Sequence, residues 1–261
     1  MRITSRDNPG IKLYIQLSGS RKHRRERGLF VMEGLRLCLD AARENVSFHT
    51  VFVTDAALEK YGEALEPLRQ AAGVNYHTIA DELGERLSDT GTPQGIFAVC
   101  VALDKNDLKG TICNNGKYLI LHNLQDPGNV GTILRTADAV GITGVFLSGC
   151  CDLYNPKTIR ATMGSLFRLK TEESLVLEEI VERMTAGNIP VYAAVVESDV
   201  LSLADCDFTA GAAVVIGNEG NGLAPEAVAL CGRKLTIRMK GNANSLNAAM
   251  AAGIIMWEML R

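Results

Sequence analysis

Apolar positions along the first hundred residues fall into two rhythms. They recur at helical spacing from Glu33 to Arg43 and again around Leu58 to Ala71, and they gather into short runs at Val51 to Val53, Val74 to Ile79 and Gly95 to Ala102. The spacing predicts two helices, three strands, a short helix after Ala80 and a turn at Gly91 to Pro93, which together make one compact α/β unit. The stretch from Leu103 to Gly116, LDKNDLKGTICNNG, is polar, contains Asn-Gly and holds no period. It reads as a linker, so the expected domains are residues 1–102 and 117–261, joined by 103–116.

Beyond Lys117 short apolar runs recur at Tyr118 to Leu121, Val145 to Leu147, Val191 to Val195, Ala212 to Ile216 and Leu235 to Ile237, each separated from the next by a helix or a loop and helix. That alternation predicts a mostly parallel sheet covered on both faces. In such a sheet ligands bind where the strands end at their carboxyl side, so the loops after those strands are the place to look for chemistry. A last apolar segment, Leu246 to Leu260, reads as a helix that needs cover on nearly all sides, from its own domain or from a second copy of the chain.

Composition narrows the classes. At 261 residues and 47% hydrophobic content the chain can build one or two cores, and collagen-like, coiled-coil and disordered classes are excluded. A membrane span takes roughly 20 nearly uninterrupted apolar residues, and the best segment, Leu246 to Leu260, is shorter and contains Asn247 and Glu258. The opening residues, MRITSRDNPG, show no export signal, so the expected location is cytoplasmic. Seven cysteines (Cys38, Cys100, Cys113, Cys150, Cys151, Cys206, Cys231) without a C-x-x-C and four dispersed histidines (His23, His49, His77, His122) give neither a disulfide framework nor a metal cluster. No metal is expected.

Charge is uneven. Through Gly28 eight Lys/Arg stand against Asp7 and Glu26, a net +6, so the remaining residues carry −9 of the total −3. The run RKHRRER, with Arg21, Lys22, Arg24, Arg25 and Arg27, suits phosphate contacts through counterion release, although such runs are more often only solvated surface.

Three strand-end loops carry unusual residue sets. After Leu121, Asp126-Pro127-Gly128 makes a sharp turn into a helix toward Val140, with Arg135 further along it. After Ile216 comes Gly217-Asn218-Glu219-Gly220-Asn221-Gly222, whose glycines permit close backbone approach to a ligand. After Ile237 come Met239 and Lys240-Gly241-Asn242-Ala243-Asn244, then Ser245, read as the N-cap of a helix starting at Leu246. Each loop alone has a plain structural explanation. Three at the ends of one sheet point to a site, and neither G-x-G-x-x-G nor G-x-x-x-x-G-K-[ST] occurs where a dinucleotide or P-loop site would need it.

The order and content of these loops resemble the SpoU (TrmH-type) family of RNA ribose 2'-O-methyltransferases in the SPOUT superfamily. The resemblance rests on Asn123-x-x-Asp126-Pro127-x-Asn129-x-Gly131-x-x-x-Arg135, Ile216-Gly217-Asn218-Glu219-Gly220-x-Gly222-Leu223 and Ile237-x-Met239-x-Gly241-x-x-x-Ser245-Leu246-Asn247. A fourth stretch is Asn155-Pro156-Lys157-x-x-Arg160-Ala161-x-Met163-Gly164-Ser165-x-Phe167. At the front, Phe30-x-x-Glu33-Gly34 and Thr92-Pro93-Gln94-Gly95 resemble the small substrate-binding domain, similar to a ribosomal-protein fold, that many members carry. Arg238, where proline is common, and Ala248-Ala249 depart from the pattern.

The resemblance implies an α/β protein whose C-terminal parallel sheet holds a deep trefoil knot, where the spacing alone would give an unknotted doubly wound sheet. It also implies S-adenosylmethionine as methyl donor and a homodimer whose site draws on both subunits. Arg135, Asn129, Glu219, Ser245 and Asn247 are the implied catalytic set; Ile216, Gly217, Asn218, Gly220, Ile237, Met239, Ser245 and Leu246 would hold the donor. RNA phosphates would fall to the basic run with Lys157, Arg160 and Arg168. Ribosomal RNA is favoured over transfer RNA. Competing readings are an RNA-binding or ribosome-assembly factor without turnover, which would not need the retained catalytic set, and a nucleotide-binding oxidoreductase, disfavoured by the missing glycine fingerprint.

Overall fold

A computed structural model describes residues 2–103, 108, 112–173 and 175–261. Half of the expected linker 103–116, residues 104–107 and 109–111, lies outside the described residues. The chain divides into two compact units, one formed by Met1–Asp104 with Tyr154–Phe167 and the other by Lys105–Leu153 with Arg168–Arg261. The stretch Tyr154–Phe167, which the sequence spacing assigns to the second domain, packs with the first.

The first unit contains β1 (Arg2–Ile3), α1 (Pro9–Gly19), α2 (Arg21–Arg27), β2 (Leu29–Glu33), α3 (Leu35–Arg43), β3 (Phe48–Thr54), α4 (Asp55–Tyr61), α5 (Glu66–Ala72), β4 (Tyr76–Ile79), α6 (Asp81–Leu87) and β5 (Ile96–Val101). Its five-stranded mixed sheet runs β1-β4-β3-β5-β2, with β5 antiparallel to both neighbours. The single helix expected over Leu58 to Ala71 is instead two. Gly62 takes φ +44, and Pro67 in the first turn of α5 has no N–H and would clash with the carbonyl four residues back if the helix ran on.

The basic run is itself a helix, α2, which the charge pattern concealed. Ser20 caps its start by accepting from the His23 N–H, and Gly28 ends it at φ +60. Four of its five cations face solvent, but Arg24 is buried and its guanidinium donates to the carbonyls of Leu17 and Ser18 at the end of α1. That arginine ties two helices together instead of facing outward.

The second unit contains β6 (Lys117–His122), α7 (Pro127–Val140), β7 (Gly144–Ser148), β8 (Thr171–Glu173), α9 (Leu177–Ala186), β9 (Val191–Ala194), β10 (Leu201–Ser202), β11 (Ala212–Ile216), α10 (Pro225–Leu230), β12 (Arg233–Thr236) and α11 (Ala248–Leu260); α8 (Pro156–Thr162), between β7 and β8, belongs to the first unit. Its seven strands run β10-β12-β9-β11-β6-β7-β8, and every pairing is parallel. β6, β7 and β11 are buried along nearly their whole length, as strands covered on both faces must be. The two short strands β8 and β10, each three residues or fewer, escaped the sequence reading because such lengths leave no period to detect.

The last helix begins later than its sequence suggests. Asn247, not Ser245, is the N-cap, accepting from the N–H groups of Ala249 at 2.9 Å and Met250 at 3.3 Å. One side of α11 is buried through Ala248, Ala252, Ile255, Met256 and Met259 and packs partly on α7. The other side leaves Met250 at 61%, Ile254 at 40% and Trp257 at 68% exposure, an apolar stripe at helical spacing.

Candidate active site

β6 and β11 are neighbours whose register sets Ile216 beside Leu121. The two chains leaving these strands therefore enter the same space, and loops far apart in sequence meet there.

Glu219 is the hub of that meeting. Its Oε1 accepts from the Asp126 N–H at 3.0 Å and from Asn129 Nδ2 at 3.2 Å, while Oε2 accepts from the Gln125 N–H at 3.2 Å. Asp126 caps α7 through Oδ1, which accepts from the Asn129 N–H at 2.7 Å. In a capping box the carboxylate that returns to the N-cap N–H comes from the third residue of the same helix; here it comes from a different loop. The positive end of α7 favours a negative charge at this point. Partial burial pushes the Glu219 carboxyl up, but the N–H groups of Asp126, Glu219 itself and Gln125, with the Asn129 amide, outweigh it and hold the group below its ordinary value.

The third loop joins through Asn247. Its Nδ2 donates to Asn129 Oδ1 at 3.0 Å while its own Oδ1 caps α11. Asn129 thus accepts from Asn247 and donates to Glu219, which fixes its amide orientation. A second tie runs from Asn218 Nδ2 to the Asn123 carbonyl at 2.9 Å, with Asn123 in the left-handed region at φ +59, a conformation its short polar side chain tolerates. His122 Nε2 lies 3.0 Å from Asn123 Nδ2, and burial lowers its pKa, so at neutral pH the ring is uncharged and can accept that amide.

Beside this network lies a cavity of about 880 Å³, within the roughly 300–1,000 Å³ of small-molecule sites. Every residue that the resemblance assigns to the donor lines it: Ile216, Gly217, Asn218, Gly220, Ile237, Met239, Ser245 and Leu246. Leu223, Leu235 and Ile255 add apolar wall. The sequence reading missed the end of β9, where Val195, Val196 and Glu197 also line the cavity. Their signal was available, since β9 lies between β11 and β12 and must end on the same edge. Gly217 serves a purpose other than ligand approach: a Cβ there would sit 2.4 Å from the Gly222 carbonyl carbon, because the loop closes on itself through paired Asn218 and Gly222 backbone bonds.

Arg135 stands apart. It is exposed on α7, six residues beyond Asn129, which places it about 9 Å along the axis and about 120° around the helix. Its guanidinium makes no hydrogen bond or ion pair among the described residues. Arg160 is paired with Asp89 and Arg168 with Asp138, each at 2.8 Å, whereas Lys157 is exposed.

The Glu219 network has a pH signature. A carboxyl held below its unfolded value contributes stability above the ordinary glutamate range and loses it as pH falls through the lowered value. Amide protection factors of Gln125 and Asp126 are expected to be constant at neutral pH, to fall on acidification, and to be lower and flat with pH in Glu219→Gln. Hydrogen exchange read residue by residue checks this, and equal protection in the variant contradicts it.

Residues 116–257 match the SpoU rRNA Methylase family, and residues 8–98 match an MRM3-like substrate binding domain. The chain is 32% identical to a 23S rRNA (uridine(2479)-2'-O)-methyltransferase of Streptomyces viridochromogenes, with 100% of this chain and 92% of that protein covered. It is 28% identical to the 23S rRNA (guanosine(2553)-2'-O)-methyltransferase RlmP of Bacillus subtilis, covering 99% of this chain and 98% of that one. Among solved structures it is similar to an AdoMet-bound rRNA methyltransferase from Sinorhizobium meliloti, with TM-score 0.86, 28% identity, and 99% and 97% of the two chains covered. With that family's model matched over residues 116–257, more than half of the chain, and a relative 32% identical along its length, the chain belongs to the SpoU rRNA methylase family.

Proposed function

We propose that this protein transfers a methyl group from S-adenosylmethionine to a ribose 2'-hydroxyl of ribosomal RNA. The observation that carries the reading is the chain of bonds from Asn247 through Asn129 to Glu219, which locks three strand-end loops beside a cleft of suitable size. An assembly factor without turnover has no need of that polar chain. Full-length similarity to enzymes named for 23S rRNA favours ribosomal over transfer RNA.

The cleft fits the donor: apolar walls of Ile216, Leu223, Ile237 and Leu246 for its purine, and loop backbone groups for its polar edge. When bound, S-adenosylmethionine supplies a methyl on a positively charged sulfur. The protein must then hold the 2'-oxygen in line with that methyl and stabilise negative character on the oxygen. Ser245 lies on the cleft wall and can hydrogen-bond the ribose, with Glu219 and Asn129 holding the loop that faces it.

Arg135 takes the electrostatic role. Guanidinium stays protonated with a pKa above about 12, so it stabilises the developing oxyanion and the adjacent phosphate while the proton leaves to phosphate or water. Because Arg135 lies on a different face of α7 from Asn129 and is unpartnered among the described residues, we assign it to the site of a second copy in a homodimer. The stripe of Met250, Ile254 and Trp257 on α11 is the proposed interface, and the C-terminal sheet carries the trefoil knot of its family. RNA phosphates meet the exposed α2 cations Arg21, Lys22, Arg25 and Arg27, with Lys157. Seven free cysteines accord with a reducing compartment, and we place the reaction in the cytoplasm.

Arg135→Ala is expected to lower methyl transfer to rRNA by at least about 100-fold, on the scale of a lost oxyanion donor, with donor affinity by calorimetry unchanged. Mixing Arg135→Ala chains with Glu219→Ala chains should restore activity in the hybrid dimers, since one of their two sites is then intact. Near-native turnover of Arg135→Ala contradicts its role, and failure of the hybrids to recover contradicts a shared site. Trp257→Asp should shift the protein to monomer in analytical ultracentrifugation; a dimer of unchanged affinity would rule out the α11 interface.

A further inference from the structure

Three stretches that methyl transfer does not use converge within the first unit. Glu33 and Gly34 close β2, Thr92 and Gln94 belong to the turn before β5, and Arg160 and Met163 sit on and just after α8; together they line one cavity of about 300 Å³. The cavity is built around a buried carboxyl. Glu33, only 8% exposed, accepts from Ser88 Oγ and Thr90 Oγ1 at 2.7 Å each and from the Asp89 N–H at 3.1 Å, so one side chain sets the course of the 88–90 turn. Asp89 then pairs with Arg160 at 2.8 Å, tying that turn to α8. Gln94 Oε1 accepts from the Leu35 N–H at 2.8 Å, which leaves its Nε2 donors without a partner among the described residues.

The chemistry of this pocket selects its occupant. Its acids are already engaged: Glu33 and Asp89 as above, and Asp40 with Arg43 at 3.1 Å. Two cations are not. Arg36 on the pocket wall and Lys157, one turn before Arg160 on the same side of α8, are exposed and have no acidic partner among the described residues. The remaining wall surface is mostly apolar, with Leu37 and the partly exposed Met163 beside Thr90 and Thr92. A mostly apolar slot with a free amide edge, Arg36 on its wall and Lys157 one helical turn from the wall residue Arg160 fits an unstacked nucleobase whose flanking phosphates sit on the cations.

We infer that the first unit holds one splayed-out base of single-stranded ribosomal RNA in this Glu33-organised pocket, separately from the nucleotide that is methylated. This rests on the proposed RNA substrate and is tested without the methyl donor. Unmethylated 23S rRNA transcript carrying 4-thiouridine or 6-thioguanosine is bound to the full chain, and photocrosslinked peptides are identified by mass spectrometry. Crosslinks are expected in residues 88–94 or 154–167. Thr92→Trp, which fills the slot from an exposed position, and Gln94→Glu, which keeps the acceptor for Leu35 and removes the free donor, should each weaken rRNA binding about 10-fold and abolish those crosslinks, with calorimetric affinity for S-adenosylmethionine unchanged. Binding and crosslinking equal to the unaltered chain in both variants, or crosslinks confined to other segments, overturns the pocket. Failure of the methyl-transfer reading shows separately, as rRNA that binds and crosslinks as described yet gains no methyl group from the unaltered protein.

Discussion

One carboxylate holds the candidate active site together. Glu219 satisfies two backbone N–H groups at the start of α7 and orients Asn129, so the loop after β11 and the helix after β6 cannot move independently. It occupies the place that a capping-box glutamate within α7 would otherwise fill, which is why α7 alone is incompletely capped. The arrangement follows from parallel pairing: only adjacent strands in register, Ile216 beside Leu121, deliver these loops to one point. Asn247 then couples the start of α11, and with it the stripe proposed for dimerisation, to the same cluster. The proposed dimer stripe and the site geometry thereby share one hydrogen-bonded chain.

Much of this was legible in the residues. The five core strands of the second unit announced themselves as apolar runs bounded by glycine, and Asp126-Pro127 marked the start of α7 because aspartate caps and proline opens helices. The eight residues assigned to the donor came from the motif resemblance, not from periodicity, and all eight line one cleft. What escaped shows where local pattern stops. α2 is almost all charged and has no apolar face, so only its Ser20 and Gly28 caps betray it. Arg24 looked like one more surface cation, and its burial depends on carbonyls supplied by α1. Pro67 could have split the expected helix between Leu58 and Ala71, and Asn247 competes with Ser245 as a cap with the same chemistry; tertiary ties to Asn129 decide between them.

The two units divide the work differently from what their charges suggest. Of the net +6 of the first 28 residues, +4 sits on α2, whose cations are partly spent on structure, while the Glu33 pocket on the same unit combines mostly apolar walls with two exposed cations, Arg36 and Lys157, that have no acidic partner among the described residues. Phosphate attraction supplies affinity that falls with salt, and contact with a base supplies discrimination. A unit carrying both can hold ribosomal RNA while the sheet of the second unit performs chemistry that is indifferent to base identity, since a ribose hydroxyl is the same in every nucleotide.

The most direct test of the whole account is to map ribose methylation by mass spectrometry across ribosomal and transfer RNA from cells with and without this protein. The account predicts that one 2'-O-methyl mark on ribosomal RNA disappears, that the native gene restores it, and that the Arg135→Ala gene does not. An unchanged set of ribosomal marks, or a lost mark confined to transfer RNA or to a base atom, would contradict it.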